Sequence, residues 1–579
     1  MRHTISALAI AGVAAVALAA CTTSSDTAAP STGKTVTIAE VNEATSFNVN
    51  TPQGNLDTNG MINYLTQPQP FTLDAKYNVV PNTSLLTLKK LSDNPLKVEY
   101  TIKAGQKWSD GKPMTADDLL LGWASSSCYF DSAKFDADGT VTSGTQYFAT
   151  AGGCVFSTDR PTVGNDNRSI TFTYDQPYVD WQLNQYIMQL PAHVVAPEAG
   201  VTEDALVKAI ETAPKGDVDN PAAVDPTLQK VAKFVNTGYD KTSLPSDKKL
   251  LVSGGPMKVS AWTPKQSMTL VPNPEYTGDH KVKISKLVIR FIGDANAQVT
   301  ALQNGEVDAI QPQTSADTVK ALKGVSGAKV IQGNQVAYDH LDLNFNSGVF
   351  KDPAVRQAFL LTIPREDILK SIITPINPDA KVLNSQIFLP GQDGYDQSVA
   401  ANGSSDYAAV NIDKAKQLLN GQTPTVKILY NTENPNRVDD FQAIQASAAK
   451  AGFKVVDGGS PQWSTLLPGG DYDASIFGWI NPGAGNAQIP QLFQTGNPSN
   501  YNNYNNPDVS ALAVKTQSTL DTSELLNLKL QIDAASFKDA YGLPLYQLPG
   551  LFATQGNLKG VSWFGGQTGL VWNIWDWSK

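Results

Sequence analysis

Short stretches of alternating apolar and polar positions dominate the first third of the chain. Residues 35–41 (TVTIAEV) are β-branched with partial alternation and predict a strand. Runs around 85–89, around 98–102 and over 169–174 (SITFTY) predict three more. Asp110-Gly111 is a turn signal, and Thr115 followed by Asp118 resembles a capping box with Asp in place of Glu, so a helix should begin at about Ala116. Residues 130–170, rich in Gly, Ser, Thr and Asp, predict irregular chain, and 200–250 predict helical patches broken by Pro and Gly. Strands are then expected at 250–260, 267–271, 286–291 and 307–310, with a helix over 295–304 ending at Gly305. Farther on, strands at 336–343, 425–430, 453–456 and 473–479 alternate with helices at 353–371, 412–420 and 437–451. That order predicts α/β layers with parallel pairing.

The first residues set the compartment. Arg2 supplies a small positive region, and residues 5–20 are apolar and small, about as long as a signal-peptide core. The run ends Leu18-Ala19-Ala20-Cys21, which resembles a bacterial lipobox, and residues 22–34 (TTSSDTAAPSTGK) contain no large apolar side chain. Residues 1–20 read as a lipoprotein signal peptide, with Cys21 lipidated on the extracytoplasmic face of the cell membrane and 21–34 a flexible tether. The alternative is an ordinary signal peptide with Cys21 incidental. No later apolar run reaches the ~18 residues of a membrane span.

The 579 residues carry 44 basic and 54 acidic side chains, a net charge of −10, which argues against a general nucleic-acid binder. Cys128 and Cys154 are the two thiols of the folded part, and the oxidising compartment favours a disulfide between them over two free buried cysteines. His3, His193, His280 and His340 are too scattered for a helical metal-binding pair, so neither metal nor cofactor is expected.

Enzyme signatures fail on context. There is no Gly-x-Ser-x-Gly, no His-Glu-x-x-His and no phosphate loop. Residues 31–34 (STGK) have Ser-x-x-Lys spacing and 92–94 read SDN, as in penicillin-binding proteins. The first lies in the tether and no Lys-Thr-Gly follows; residues 447–450 (SAAK) come after Ser92, in the wrong order.

Six segments resemble, in order, the dipeptide/oligopeptide-binding lipoproteins of bacterial solute-binding family 5. They are 108–118 (WSDGKPMTADD), 254–259 with 270–276 (GGPMKV and LVPNPEY), 301–308 (ALQNGEVD), 343–345 with 350–358, 469–479, and 543–546 (LPLY). The resemblance implies an α/β, two-lobed type II periplasmic-binding fold with an extra N-terminal subdomain. Its first lobe would be discontinuous, 35–75, 196–312 and 547–579; the subdomain would be 76–195 and the second lobe 313–546, with the hinge near 312 and 546.

The resemblance also implies a site. Phe477, Gly478, Trp479 and Ile480 match the segment that pairs with a ligand backbone, and Trp479 and Trp463 match pocket tryptophans. Residues 430–436, including Tyr430 and Asn436, match a pocket-lining loop, and 51–55, with Gln53, Gly54 and Asn55, match the loop that meets the ligand from the other lobe. Packing alone is the competing role for each aromatic, and turn formation for the 51–55 loop. Trp108, Asp110, Thr115 and Asp118 are read as fold-forming.

Two departures stand out. Peptide-binding members place an Asp shortly after the Gly-Trp pair to hold the ligand's ammonium; here Asn481 follows Ile480 and no carboxylate occurs until Asp508. The family's Ala-x-Asp-Arg is Thr362-Ile363-Pro364-Arg365. The expectation is a monomeric, membrane-anchored receptor that delivers peptides to an ABC permease without bond chemistry. The alternatives are the same role for an oligosaccharide, opine or metal chelate, or a secreted hydrolase.

Overall fold

The computed structural model describes residues 34–135, 141–150, 158–184, 187–480, 485–486, 488–497 and 499–579. Cys21, Cys154 and Asn481 lie outside the described residues. Cys128 is disulfide-bonded.

The elements used below are β1 (Thr35–Glu40), α1 (Ala116–Ser126), β2 (Met257–Thr263), β3 (Ser267–Pro272), β4 (Lys286–Phe291), β5 (Ala309–Ile310) and β6 (Ala328–Leu343). They continue with β7 (Thr425–Tyr430), α2 (Pro435–Ala448), β8 (Lys454–Asp457), β9 (Ala474–Ile480), α3 (Thr522–Lys538) and β10 (Gly542–Gln555). The ten strands form one sheet in the order β2-β3-β4-β1-β5-β10-β6-β9-β7-β8. Pairing is mixed, which corrects the expected parallel sheet. β1 is parallel to β4 and β5, and β7 to β8 and β9, whereas the central β5-β10-β6-β9 run is antiparallel.

β6 and β10 join the two halves of this sheet. They pair from Ala328–Gln555 to Asn334–Pro549, and again from Tyr338–Gln547 to Asp342–Gly542. The register slips between the two stretches, leaving residues 335–337 opposite Leu548 alone. Gly333 faces Gly550, and the Trp563 indole lies across both: a Cβ on either glycine would meet that ring at 2.3 Å. Two apolar cores flank the slip. One gathers β1, α1 and β2 to β4 with Phe552 and Trp577; the other gathers Leu341, Leu343, Ile428, Ile476, Leu543 and Leu545.

Strand 250–260 is displaced, because Gly254-Gly255-Pro256 breaks it: Lys248–Leu251 is a 3-10 turn and β2 begins at Met257. Helix 353–371 is interrupted after Leu360, where Pro364 has no N–H to donate. Arg365 beyond it is buried, donating to the carbonyls of Leu383, Pro544 and Tyr407, and burial lowers its pKa to about 10.

The 108–118 motif builds structure, as expected. Asp118 accepts from Trp108 Nε1 (3.0 Å), Thr115 N–H (2.9 Å) and Ala192 N–H (2.8 Å), and the capping box on α1 is complete. Full burial outweighs those bonds and raises its pKa to about 6. Asp118→Ala should lower the unfolding free energy in urea by more than about 2 kcal/mol, since three donors, two of them buried, lose their acceptor.

Candidate ligand-binding cleft

The expected ligand segment lies where one strand outruns its neighbour. β9 begins paired on both sides, with Ile428–Ala474, Leu429–Ser475 and Tyr430–Ile476 in register against β7. β7 ends at Tyr430, whereas β9 runs on through Phe477, Gly478, Trp479 and Ile480, paired to β6 from His340 to Ala337. On the β7 side the Asp473 N–H donates to Lys427 O at 2.9 Å. Backbone alternation turns the main-chain groups of Phe477 and Trp479 to that same side. Among the described residues no strand continues β7 there, so the stretch presents an open edge.

Aromatic side chains surround this edge. Phe477 and Trp479 share a face with His340 and Tyr338, their opposites in β6. Phe477 lies 4.3 Å from His340, 5.5 Å from Trp479 and 6.1 Å from Trp463 between ring centroids. Tyr501 stacks on Trp479 at 5.9 Å, and His340 lies parallel to Trp479 on another side at 6.3 Å. Trp479 Nε1 and His340 Nε2 are buried with no hydrogen-bond partner among the described residues, while His340 Nδ1 lies 2.8 Å from Asp342 Oδ1.

The opposite face of the same strands carries charge. Gly478 is opposite Asp339, whose carboxylate is fully buried and receives two bonds from Arg437 on α2: Nη2 to Oδ1 at 2.9 Å and Nε to Oδ2 at 3.1 Å. The Arg437 guanidinium also sits 5.3 Å from the Trp463 ring centroid. A Cβ on residue 478 would come within 2.8 Å of Asp339 Oδ1 and 3.0 Å of Arg437 Nη2, so this close approach requires glycine. Burial opposes the Arg437 charge, yet the adjacent Asp339 raises its pKa. Asp440, one turn along α2, accepts from the Tyr546 hydroxyl at 2.7 Å, and burial, reinforced by Asp339, pushes its pKa well above the carboxylate range.

Trp463, Phe477, Gly478 and Trp479 thus come together. Tyr430 is packed instead into the apolar core, stacked on Phe441 at 4.9 Å. Asn436 is half-buried in the first turn of α2, one residue before Arg437. Gly54 is seated in a tight turn, its N–H donating to Thr51 O and its carbonyl accepting from Asn59; Gln53 and Asn55 are exposed. Among the described residues no side-chain hydrogen bond or ring contact joins that loop to the β9 cluster. Sequence reasoning missed His340, Arg437 and Tyr501. The alternation Tyr338, His340, Asp342 along one strand face was a legible signal; Arg437 and Tyr501 had none without the fold.

Two cavities lie near the crossing strands. One, about 330 Å³, borders residues 335–337 and includes Glu40 and Asp57, both of whose pKa values are raised by burial. The other, about 530 Å³, is lined by Tyr77, Phe388, Asn486, Phe493 and Lys529 among others. Ile489, Leu492 and Phe493 on its wall belong to the apolar cluster against which Trp479 packs. Among the described residues no group of three His, Cys, Asp or Glu is placed to hold a metal ion, and no helix is long and apolar enough to cross a membrane.

A mixed sheet crossed by two long strands, with an open strand edge beside aromatic side chains, frames the candidate cleft. Residues 80–501 match the bacterial extracellular solute-binding proteins, family 5. The chain belongs to that family, the non-catalytic solute receptors of ABC transporters. It is 24% identical over 547 residues to the oligopeptide-binding protein OppA of Mycobacterium tuberculosis, covering 91% of this chain and 81% of that protein. Its fold is similar to that of the periplasmic EDTA-binding protein EppA, with a TM-score of 0.78 at 23% identity, covering 95% of this chain and 97% of the other. It is also similar to that of the oligopeptide-binding protein AppA from Bacillus subtilis, solved with a nonapeptide, with a TM-score of 0.67 at 20% identity, covering 95% and 99%.

Removing one member of the buried ion pair tests this architecture. Arg437→Met should destabilise the protein by about 3–5 kcal/mol at pH 7, because Asp339 is left charged and buried. Asp339→Asn combined with Arg437→Met should recover much of the loss.

Proposed function

We propose that this chain is a lipid-anchored receptor that captures an extended, peptide-like solute and passes it to an ABC permease. The open edge of β9 carries the proposal. A ligand lying in line with β7 would pair with the main-chain groups of Phe477 and Trp479 as an added strand, a mode that reads backbone rather than sequence. Trp463, Phe477, Trp479 and Tyr501 would wall its side chains. Residues 35–75, 196–312 and 547–579 are taken as one lobe, 76–195 as the extra subdomain and 313–546 as the second lobe. The separate apolar cores on either side of the strand crossing support two lobes, but Val319, Leu322 and Ile331 pack with first-lobe residues and the register slip lies at 335–337, which favours a first crossing near 335 over the expected 312. Ligand bridging both lobes would stabilise the closed form that docks on the permease.

A second reading, an opine or chelate as cargo, is favoured by the lack of a carboxylate between Trp479 and Asp508. If the cargo is a peptide, Asn481 takes part of the role of the Asp found in peptide-binding members. An amide oxygen accepts a hydrogen bond from an ammonium without neutralising it, a contribution of about 1 kcal/mol against roughly 1.5–3 for a charged acceptor.

Calorimetry with tetra-alanine, free and N-acetylated, tests this reading. Acetylation should change affinity little, and Trp479→Ala and Trp463→Ala should each lose more than about 1 kcal/mol. Normal binding by both tryptophan variants would remove the cleft assignment. A strict requirement for the free amine would show that another carboxylate reads it.

The anchor has its own test. Cys21→Ser should release the protein into the soluble fraction or leave it unprocessed. Detergent-dependent membrane association that persists in this variant would refute lipidation at Cys21.

A further inference from the structure

Lys529 stands out among the charged groups near the cleft. It projects from α3 into the 530 Å³ cavity, whose other walls come from Lys76 to Asn78, Gln386 to Phe388, and the Ile489 and Phe493 turn. That volume is within the range of small-molecule sites, about 300–1,000 Å³. The side chain is half-buried, and among the described residues it has neither an ion pair nor a hydrogen bond. Its one described contact of this kind is the Phe388 ring, 4.9 Å from Nζ to the centroid. Burial lowers its pKa, opposed by the charge of Asp180. Asp180 is already engaged, accepting from the Asn486 N–H at 2.7 Å and from its Nδ2 at 3.1 Å. The other charged lining residues, Lys76 and Asp393, are both exposed.

The cavity also lies at the end of the candidate site. Gly485 and Asn486, shortly after β9, form part of its lining, and its apolar wall supports Trp479. The segment that carries an ammonium-reading Asp in peptide-binding members has no acid here, and an ammonium without an ion pair among the described residues stands nearby. A cation in a confined cavity repels a second cation and gains most from a ligand anion that replaces its lost hydration.

We propose that this cavity is a subsite for a carboxylate at one end of the ligand, read by the Lys529 ammonium. The proposal rests on the receptor reading above. The cargo would then be an anionic solute, such as an acylated or carboxylate-capped peptide or a polycarboxylate chelator, rather than a peptide with a free amine at that end.

The test is calorimetry at fixed ionic strength with tetra-alanine amide, which has no carboxylate, N-succinyl-tetra-alanine amide and EDTA, on wild type, Lys529→Met and Lys529→Arg. Both carboxylated probes should bind wild type more tightly than tetra-alanine amide. Lys529→Met should weaken them about tenfold or more, the scale of one charge-assisted bond, while Lys529→Arg largely preserves binding. Tetra-alanine amide should respond little to either change. Equal binding of the carboxylated probes to wild type and Lys529→Met would overturn the subsite. So would binding of tetra-alanine amide alone, which leaves the receptor reading standing. Failure of all three probes would count against both.

Discussion

The pairing of β6 with β10 is the constraint on which the molecule depends. These two strands contribute to both apolar cores, with Phe552 packed on one side and Leu341, Leu343, Leu543 and Leu545 on the other. Their hydrogen-bonded ladder fixes each half, and the slip at 335–337 against Leu548 breaks it where the halves meet. A bulge of this kind weakens pairing locally and lets the strands bend without melting either core. The facing glycines Gly333 and Gly550 leave room for Trp563, whose Nε1 donates to Asn334 O at 3.1 Å beside the slip. The crossing is therefore buttressed on the 328–334 side and free of regular pairing at its centre.

The cleft follows from strand lengths. A half-paired strand inside a sheet is ordinarily a liability, because its free N–H and C=O groups invite association. Here Arg437 on α2 and Trp463, the first residue of a short helix, lie beside that edge. Gly478 brings the strand close to the Asp339–Arg437 pair, and that buried charge pair fixes the position of α2, which forms one wall. Buried ion pairs seldom add net stability, but they penalise every arrangement in which one partner is left alone. That property suits a site whose walls must hold a single geometry.

Much of the fold was legible in the sequence. Strands built from β-branched residues with alternation, such as Thr35–Glu40 and Ser169–Thr173, fall where the pattern puts them. The capping box at Thr115 and Asp118 locates α1 to the residue. β10 was not recognised, because Pro544 and Pro549 argue against a central strand and only the register slips reconcile them with the ladder. The early part of β6 was missed for a similar reason: Gly333 and its polar neighbours carry no alternation. Within the site, the aromatic residues were legible through family resemblance. The placement of Tyr430 in the core and the arrival of Arg437 and Tyr501 depend on which face each element turns inward, which local pattern leaves open.

Backbone pairing also limits what the fold alone can decide about cargo. Hydrogen bonds to Phe477 and Trp479 would be offered equally to any extended amide chain, so they contribute affinity without choosing among ligands. The aromatic walls select shape weakly, since packing adapts. In the proposed reading, selection would fall to charges at the ends of the slot, where an unmatched group must be desolvated with nothing in return. At the end following β9 this chain lacks an acid until Asp508 and has Lys529 in the adjoining cavity. In the proposed subsite, inverting the sign of one group would alter the ligand class accepted there while leaving the sheet, the crossing strands and the aromatic walls unchanged, which is how one architecture could serve chemically different solutes.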